Sequence, residues 1–155
     1  MFGEFAGLPL HVLVIHFTVV LLPIGGFATT AVILRPAWRE RFAAHVAIGN
    51  TALLVLTFVT VRSGLALQAK LDPTRKSVPT HHHEQLAKTL LWIMLALAVV
   101  SVITWLASRM GNFAPTAVAG LAVVVALLAI VSIGFTVATG DAGARSHWGG
   151  LYSSK

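Results

Sequence analysis

The stretch Leu8–Leu34, LPLHVLVIHFTVVLLPIGGFATTAVIL, contains no Asp, Glu, Lys or Arg. A helix needs about 20 predominantly apolar residues to cross the hydrocarbon core of a bilayer, and this run exceeds that. Backbone polar groups in lipid must pair within the protein, so spanning segments are helices or closed barrels. Barrel strands alternate in polarity over about ten residues, whereas this run is continuously apolar. It therefore reads as a transmembrane helix, with a kink or a close helix contact expected at Pro23 and Gly25–Gly26.

Three more runs qualify: residues 43–67, 85–107 and 115–138, the last opening on Pro115, which suits a first helical turn. The connections RPAWRER and SRMGNFA are short and enforce antiparallel neighbours. The middle one, AKLDPTRKSVPTHHHE, is longer. The expected fold is all-α: an integral membrane four-helix up-down bundle, with residues 1–155 forming a single transmembrane domain. Composition agrees, with 57% hydrophobic and 10% charged residues against about 25% charged in a soluble domain. MFGEF offers no basic segment of the kind that opens a signal peptide, so the first run is expected to stay as a span. No repeat is strong enough to argue for an internal duplication.

Several functions are excluded. The chain has no cysteine, which removes disulfides, iron–sulfur ligation and Cys-based zinc sites. The net charge of +6 comes from Lys and Arg scattered through loops, where they meet anionic head groups; no nucleic-acid partner is expected. There is no nucleophile elbow, HExxH or phosphate loop. The carboxylates Glu4, Glu40, Asp72, Glu84 and Asp141 fall in loops or at helix ends, so no catalytic constellation is recognised.

The histidines carry the remaining signal. His11 and His16 lie early in the first run, His81, His82 and His83 just before the third, and His147 just after the fourth, all toward one membrane face. Arg62, Gln68 and Asp141 fall at that face too, and His45 at the other. Polar groups at membrane depth are costly and mark sites. His11 and His16 are about 140° apart around a helix, so one faces the bundle and the other a neighbour or the interface. His16, the deeper, is expected to be the shielded one. Three readings stand. An inward first-span histidine and one of His81–His83 ligate haem b or a metal ion; the histidines and Arg62 form a proton-relay or anion site; or the imidazoles pack between helices or sit among head groups. His45 lacks a partner at its own face, so two stacked haems are not expected. Arg62 either extends to the head groups or pairs with Asp141 or the C-terminal tail, and Glu84 and Lys88 have the spacing of a helical ion pair.

LPLHVLVIHFTVVLLP at Leu8–Pro23 resembles the opening of a bacterial membrane family catalogued as domain of unknown function 2231, which typically begins LHPLLVHFPIALLP. HHHEQLAKTLLWIML at His81–Leu95 and TGDAGARSHWGG at Thr139–Gly150 resemble its third span and its Gly-rich close. Val12 and Thr18 replace prolines usual near the two first-span histidines, and Asp141 stands where many relatives have His. The resemblance implies a four-span inner-membrane protein. Some relatives are fused to Rieske or cytochrome c domains, which implies redox work near the outer face. By carry-over His11, His16 and His83 are the cofactor-binding candidates, beside a polar layer of Arg62 and Asp141. The expected function is a small accessory protein of the bacterial inner membrane, binding haem b or a metal beside a membrane redox complex or in a homo-oligomer. The alternative is a non-enzymatic structural or assembly subunit without a cofactor.

Orientation follows from the first run: no Lys or Arg precedes it, and Arg35, Arg39 and Arg41 follow it. The positive-inside rule then puts both termini outside. A reporter fused after Lys155 is expected to be active outside the cytoplasm; activity confined to the cytoplasm reverses the orientation.

Overall fold

The computed structural model describes residues 4–5, 7–70 and 78–152, with side-chain surroundings for 7–70 and 80–146. A short antiparallel pair, β1 (Glu4–Phe5) and β2 (Leu8–Pro9), precedes four helices: α1 (Leu10–Ile33), α2 (Pro36–Lys70), α3 (Val78–Met110) and α4 (Pro115–Tyr152). Each helix is long and apolar enough to cross a membrane. They pack in a ring in which α1 touches α2 and α4, and α3 touches the same two.

The helices outrun the apolar runs that announced them. RPAWRER is not a connection: α2 begins at Pro36, leaving Leu34 and Arg35 as the link. Pro36 suits a first turn, and the Ala, Arg and Glu that follow are strong helix formers. HHHE belongs to α3, and α4 continues through TGDAGARSHWGG. An apolar run measures bilayer thickness, whereas a helix continues for as long as its backbone bonds and packing hold. At the other extreme, α1 starts two residues late because Leu8–Pro9 pairs with Glu4–Phe5. Part of the middle connection lies outside the described residues.

The core runs along the bundle axis through Leu22, Ile33, Met94, Leu97, Val125 and Ala129. The outside is as apolar as the inside: Phe17, Phe27, Ile48, Trp92 and Leu127 are exposed, Trp92 to 70%. A soluble protein rarely shows contiguous apolar surface of this kind. Here it meets lipid, and the chain is a multi-pass membrane protein.

Burial reveals a correspondence that residue identities conceal. Along α1 the inward stripe is His11, Thr18, Leu22, Gly26 and Thr29; along α3, at the same spacings, it is His83, Leu90, Met94, Ala98 and Ser101. In α2 and α4, Ala43, Val46, Ala47, Thr57 and Ser63 match Ala122, Val125, Ala126, Thr136 and Ala142, all buried. Even the initiating prolines, Pro36 and Pro115, correspond. The α1–α2 and α3–α4 hairpins are thus built on one plan and relate to each other by an approximate twofold along the bundle. The sequence does not betray this because only size and polarity recur.

The hairpins are tied by one asparagine. Asn50 is 1% exposed. Its Nδ2 donates to Ser101 Oγ at 2.9 Å and its Oδ1 accepts from Thr29 Oγ1 at 3.1 Å. Ser101 spends its own proton on the Leu97 carbonyl, so it can only accept, and that fixes the amide's orientation. Thr29 and Ser101 are equivalent positions of the two hairpins. Replacing Asn50 by Leu is expected to cost about 1–2 kcal/mol, read from unfolding in mixed micelles, with helicity retained. An unchanged transition would show that the network carries no stability.

Candidate ligand chamber

All four helices surround a partly enclosed cavity of about 710 Å³ at one end of the bundle. Its walls include His11, Ile15 and Thr18 from α1, Thr57, Thr60 and Gly64 from α2, His83, Ala87 and Leu90 from α3, and Thr136, Thr139 and Gly143 from α4. Gln68, Thr80, Glu84 and Ser146 mark the end nearer the bundle mouth.

Two imidazoles are held there in the same way. His11 Nδ1–H donates to the Thr60 carbonyl at 3.0 Å, and His83 Nδ1–H to the Thr139 carbonyl at 2.9 Å. In a helix each of these carbonyls already accepts from the N–H four residues on, and its second lone pair is normally screened by that residue's side chain. That residue is Gly64 in α2 and Gly143 in α4. A Cβ at either would stand 3.0 Å from the imidazole Cε1 and little farther from Nδ1. The sequence signature of the site is therefore a Thr with Gly four residues later, once per hairpin, facing a His on the preceding helix.

These bonds decide the chemistry. A carbonyl only accepts, so Nδ1 carries the proton and Nε2 keeps a lone pair. The hydroxyls are committed as well: Thr57, Thr136 and Thr139 donate to the carbonyls of Leu53, Ser132 and Phe135. Thr18 and Thr60 lie 2.6 Å apart, Oγ1 to Oγ1, and each also reaches a carbonyl of its own helix, Val14 and Leu56. Their two protons are used up within that group. Among these described groups the wall offers electron pairs and withholds protons. It suits a metal centre or a hydrogen-bond donor and repels an anion.

Of the residues singled out in the sequence, His11 and His83 face the chamber and His16 does not. His16 is exposed among lipid-facing residues such as Phe17, with Nδ1 bonded to its own helix at the Val12 carbonyl, 2.7 Å away. The expectation that the deeper histidine is the shielded one is corrected by rotation: His11 continues the Thr18–Leu22–Thr29 stripe, and His16 sits about 140° from it. Depth was the wrong criterion; the stripe was the right one. Arg62 lies on the exposed side of α2. Asp141 pairs with Arg145 at 2.7 Å, both side chains being more than half exposed, so no Arg62–Asp141 pair forms. Glu84 and Lys88 do pair, at 2.5 Å, and His81 and His82 are exposed. His45 contacts Phe42 edge-on at 5.8 Å in the other half of the bundle. The side chain of His147 lies outside the described residues. In the sequence Thr57 and Thr60 read as polar residues of the second run and Gly64 as a point of close helix approach; Gly143 and the link of either glycine to a histidine carry no such signal.

Substituting Gly64 or Gly143 by Leu is expected to push its imidazole off the carbonyl and cost about 1–3 kcal/mol for the lost partner. Gly140→Ala is neutral, because a Cβ there meets nothing within 4 Å. Nitrogen NMR of labelled histidine checks this: one ring should lose its fixed tautomer in each Leu variant and neither should in Gly140→Ala.

No curated protein and no solved structure matches the chain. A family model described as "Predicted membrane protein (DUF2231)" matches residues 7–151, which takes in all four helices and both histidine sites. The chain belongs to that family.

Proposed function

We propose that the chamber holds haem b between the Nε2 atoms of His11 and His83, making the chain a small redox-linked protein of the bacterial inner membrane with both termini outside. The observation that supports this is the paired Nδ1–H···O=C bond, the outer partner that fixes tautomer and ring direction in metal-binding histidines. A bare ion fits less well. Zinc sites take three or four protein ligands, and no group of three His, Cys, Asp or Glu able to hold a metal occurs among the described residues. Haem brings its own equatorial donors and asks the protein for one or two axial ones. The equivalent placement of His11 and His83 on opposed helices supports them as those ligands.

A membrane redox complex or a second copy of the chain is the proposed partner, by analogy with the fused relatives noted above. A purely structural or assembly role is the competing reading, and it needs no free Nε2.

Protein purified in detergent from haem-replete cells is expected to show a Soret band and sharp visible bands on reduction. His11→Ala and His83→Ala should each lose the haem or turn the spectrum high-spin, and His16→Ala should leave it unchanged. A wild type that stays colourless after titration with haemin overturns the haem reading.

A further inference from the structure

Among the described chamber-lining residues, Val12 and Val19 are the exposed ones, 47% and 40% open at the surface. Both are apolar, both are on α1, and they stand about 10 Å apart along the helix. They lie within about 40° of Gly26 around α1, and Gly26 is where α1 meets α4. A Cβ there would strike the Ile133 side chain and come within 3.2 Å of the Ala129 carbonyl. The seam between α1 and α4 is therefore tight at Gly26 and parted beside Val12 and Val19. Across the gap the α4 wall is Gly140, which lines the chamber and lies seven residues, two helical turns, beyond Ile133 on the same side of α4.

The matching seam between α2 and α3 is different. The counterpart of Val12 there is Glu84, which is partly buried, accepts from Lys88 and lines the chamber along with Gln68 of α2. Polar groups line that side, and the α1–α4 side is apolar and exposed at Val12 and Val19. The opening lies beside the lipid-facing flank of α1, which carries Phe17 and Val20, with the threonine wall within.

We propose that the α1–α4 seam is a lateral portal through which the chamber receives a ligand dissolved in the bilayer. The ligand class is a lipid-soluble molecule carrying an electron-pair-accepting group, a metal centre or a hydrogen-bond donor, that comes to rest between the two Nε2 atoms. A free aqueous ion is not the cargo. The proposal rests on reading the chamber as the ligand site, and it holds whether or not the ligand is haem.

The chain has no cysteine, so Gly140→Cys gives a single thiol on the chamber wall with open space around it. The thiol is spin-labelled, the protein is reconstituted in phosphatidylcholine vesicles, and label collisions are measured with oxygen, which concentrates in the bilayer, and with a water-soluble nickel chelate. Phe27→Cys on the lipid face and His81→Cys at the exposed start of α3 set the two limits. Ala87→Cys, on the opposite chamber wall, is the second reporter should Gly140→Cys fail to fold by circular dichroism. The expected result is an oxygen-dominated label, with collisions reduced severalfold when Val19→Trp is added to plug the gap. Nickel-dominated access, or a label that neither reagent reaches, overturns the portal. Because no ligand is used, a colourless wild type leaves this result intact, and aqueous access leaves the two-histidine reading intact.

Discussion

The bond from an imidazole N–H on one helix to a backbone carbonyl on the next is the interaction on which the site depends. Lipid offers no water to satisfy a polar group, so an inward histidine must find its partner in the protein. Side-chain partners are scarce in a chain with 10% charged residues. The backbone is the remaining supply, and its carbonyls have a lone pair to spare wherever a glycine uncovers them. One substitution, side chain to hydrogen, thus creates an acceptor at membrane depth without a charge. Made at Gly64 and again at Gly143, it fixes both rings, selects one tautomer in each, and turns both remaining nitrogens to the same use.

The buried hydroxyls follow the same economy. Thr57, Thr104, Ser101, Ser132 and Thr136 each donate to a carbonyl of their own helix. Such bonds satisfy the donor locally and leave the oxygen's lone pairs facing inward. Away from the chamber this lets Ser101 receive Asn50. In the chamber it produces a wall that accepts and does not give. Small side chains also let the helices approach closely, which is the main source of helix association in a bilayer.

The fold was legible because length and continuous hydropathy leave a bilayer-crossing helix no alternative. Helix ends were less so, since Pro36–Phe42 and Thr139–Tyr152 are helical without being apolar. At the site, chemistry pointed to histidine and geometry chose among them. The choice of His11 over His16 was present in the sequence as the spacing His11–Thr18–Leu22–Gly26–Thr29, but polarity at depth is the louder signal and it favoured the residue facing lipid. The repeat between hairpins was hidden because Thr18 answers to Leu90, Thr29 to Ser101 and Arg62 to Asp141, matches in position and seldom in identity.

Asn50 has Ala129 as its counterpart in the second hairpin, and that inequality matters for assembly. Two halves sharing one packing plan are each other's natural competitors: two copies of the first hairpin, from separate chains, present nearly the same surfaces as the true pair. In such a mispaired form an amide would occupy both equivalent buried positions, one of which is filled by the small Ala129 in the proper pair. In the proper pair the amide has a hydroxyl on either side, Thr29 and Ser101. An unmatched buried amide thereby lets a chain of two similar halves recognise itself from within, much as one buried asparagine sets the partner of a coiled coil.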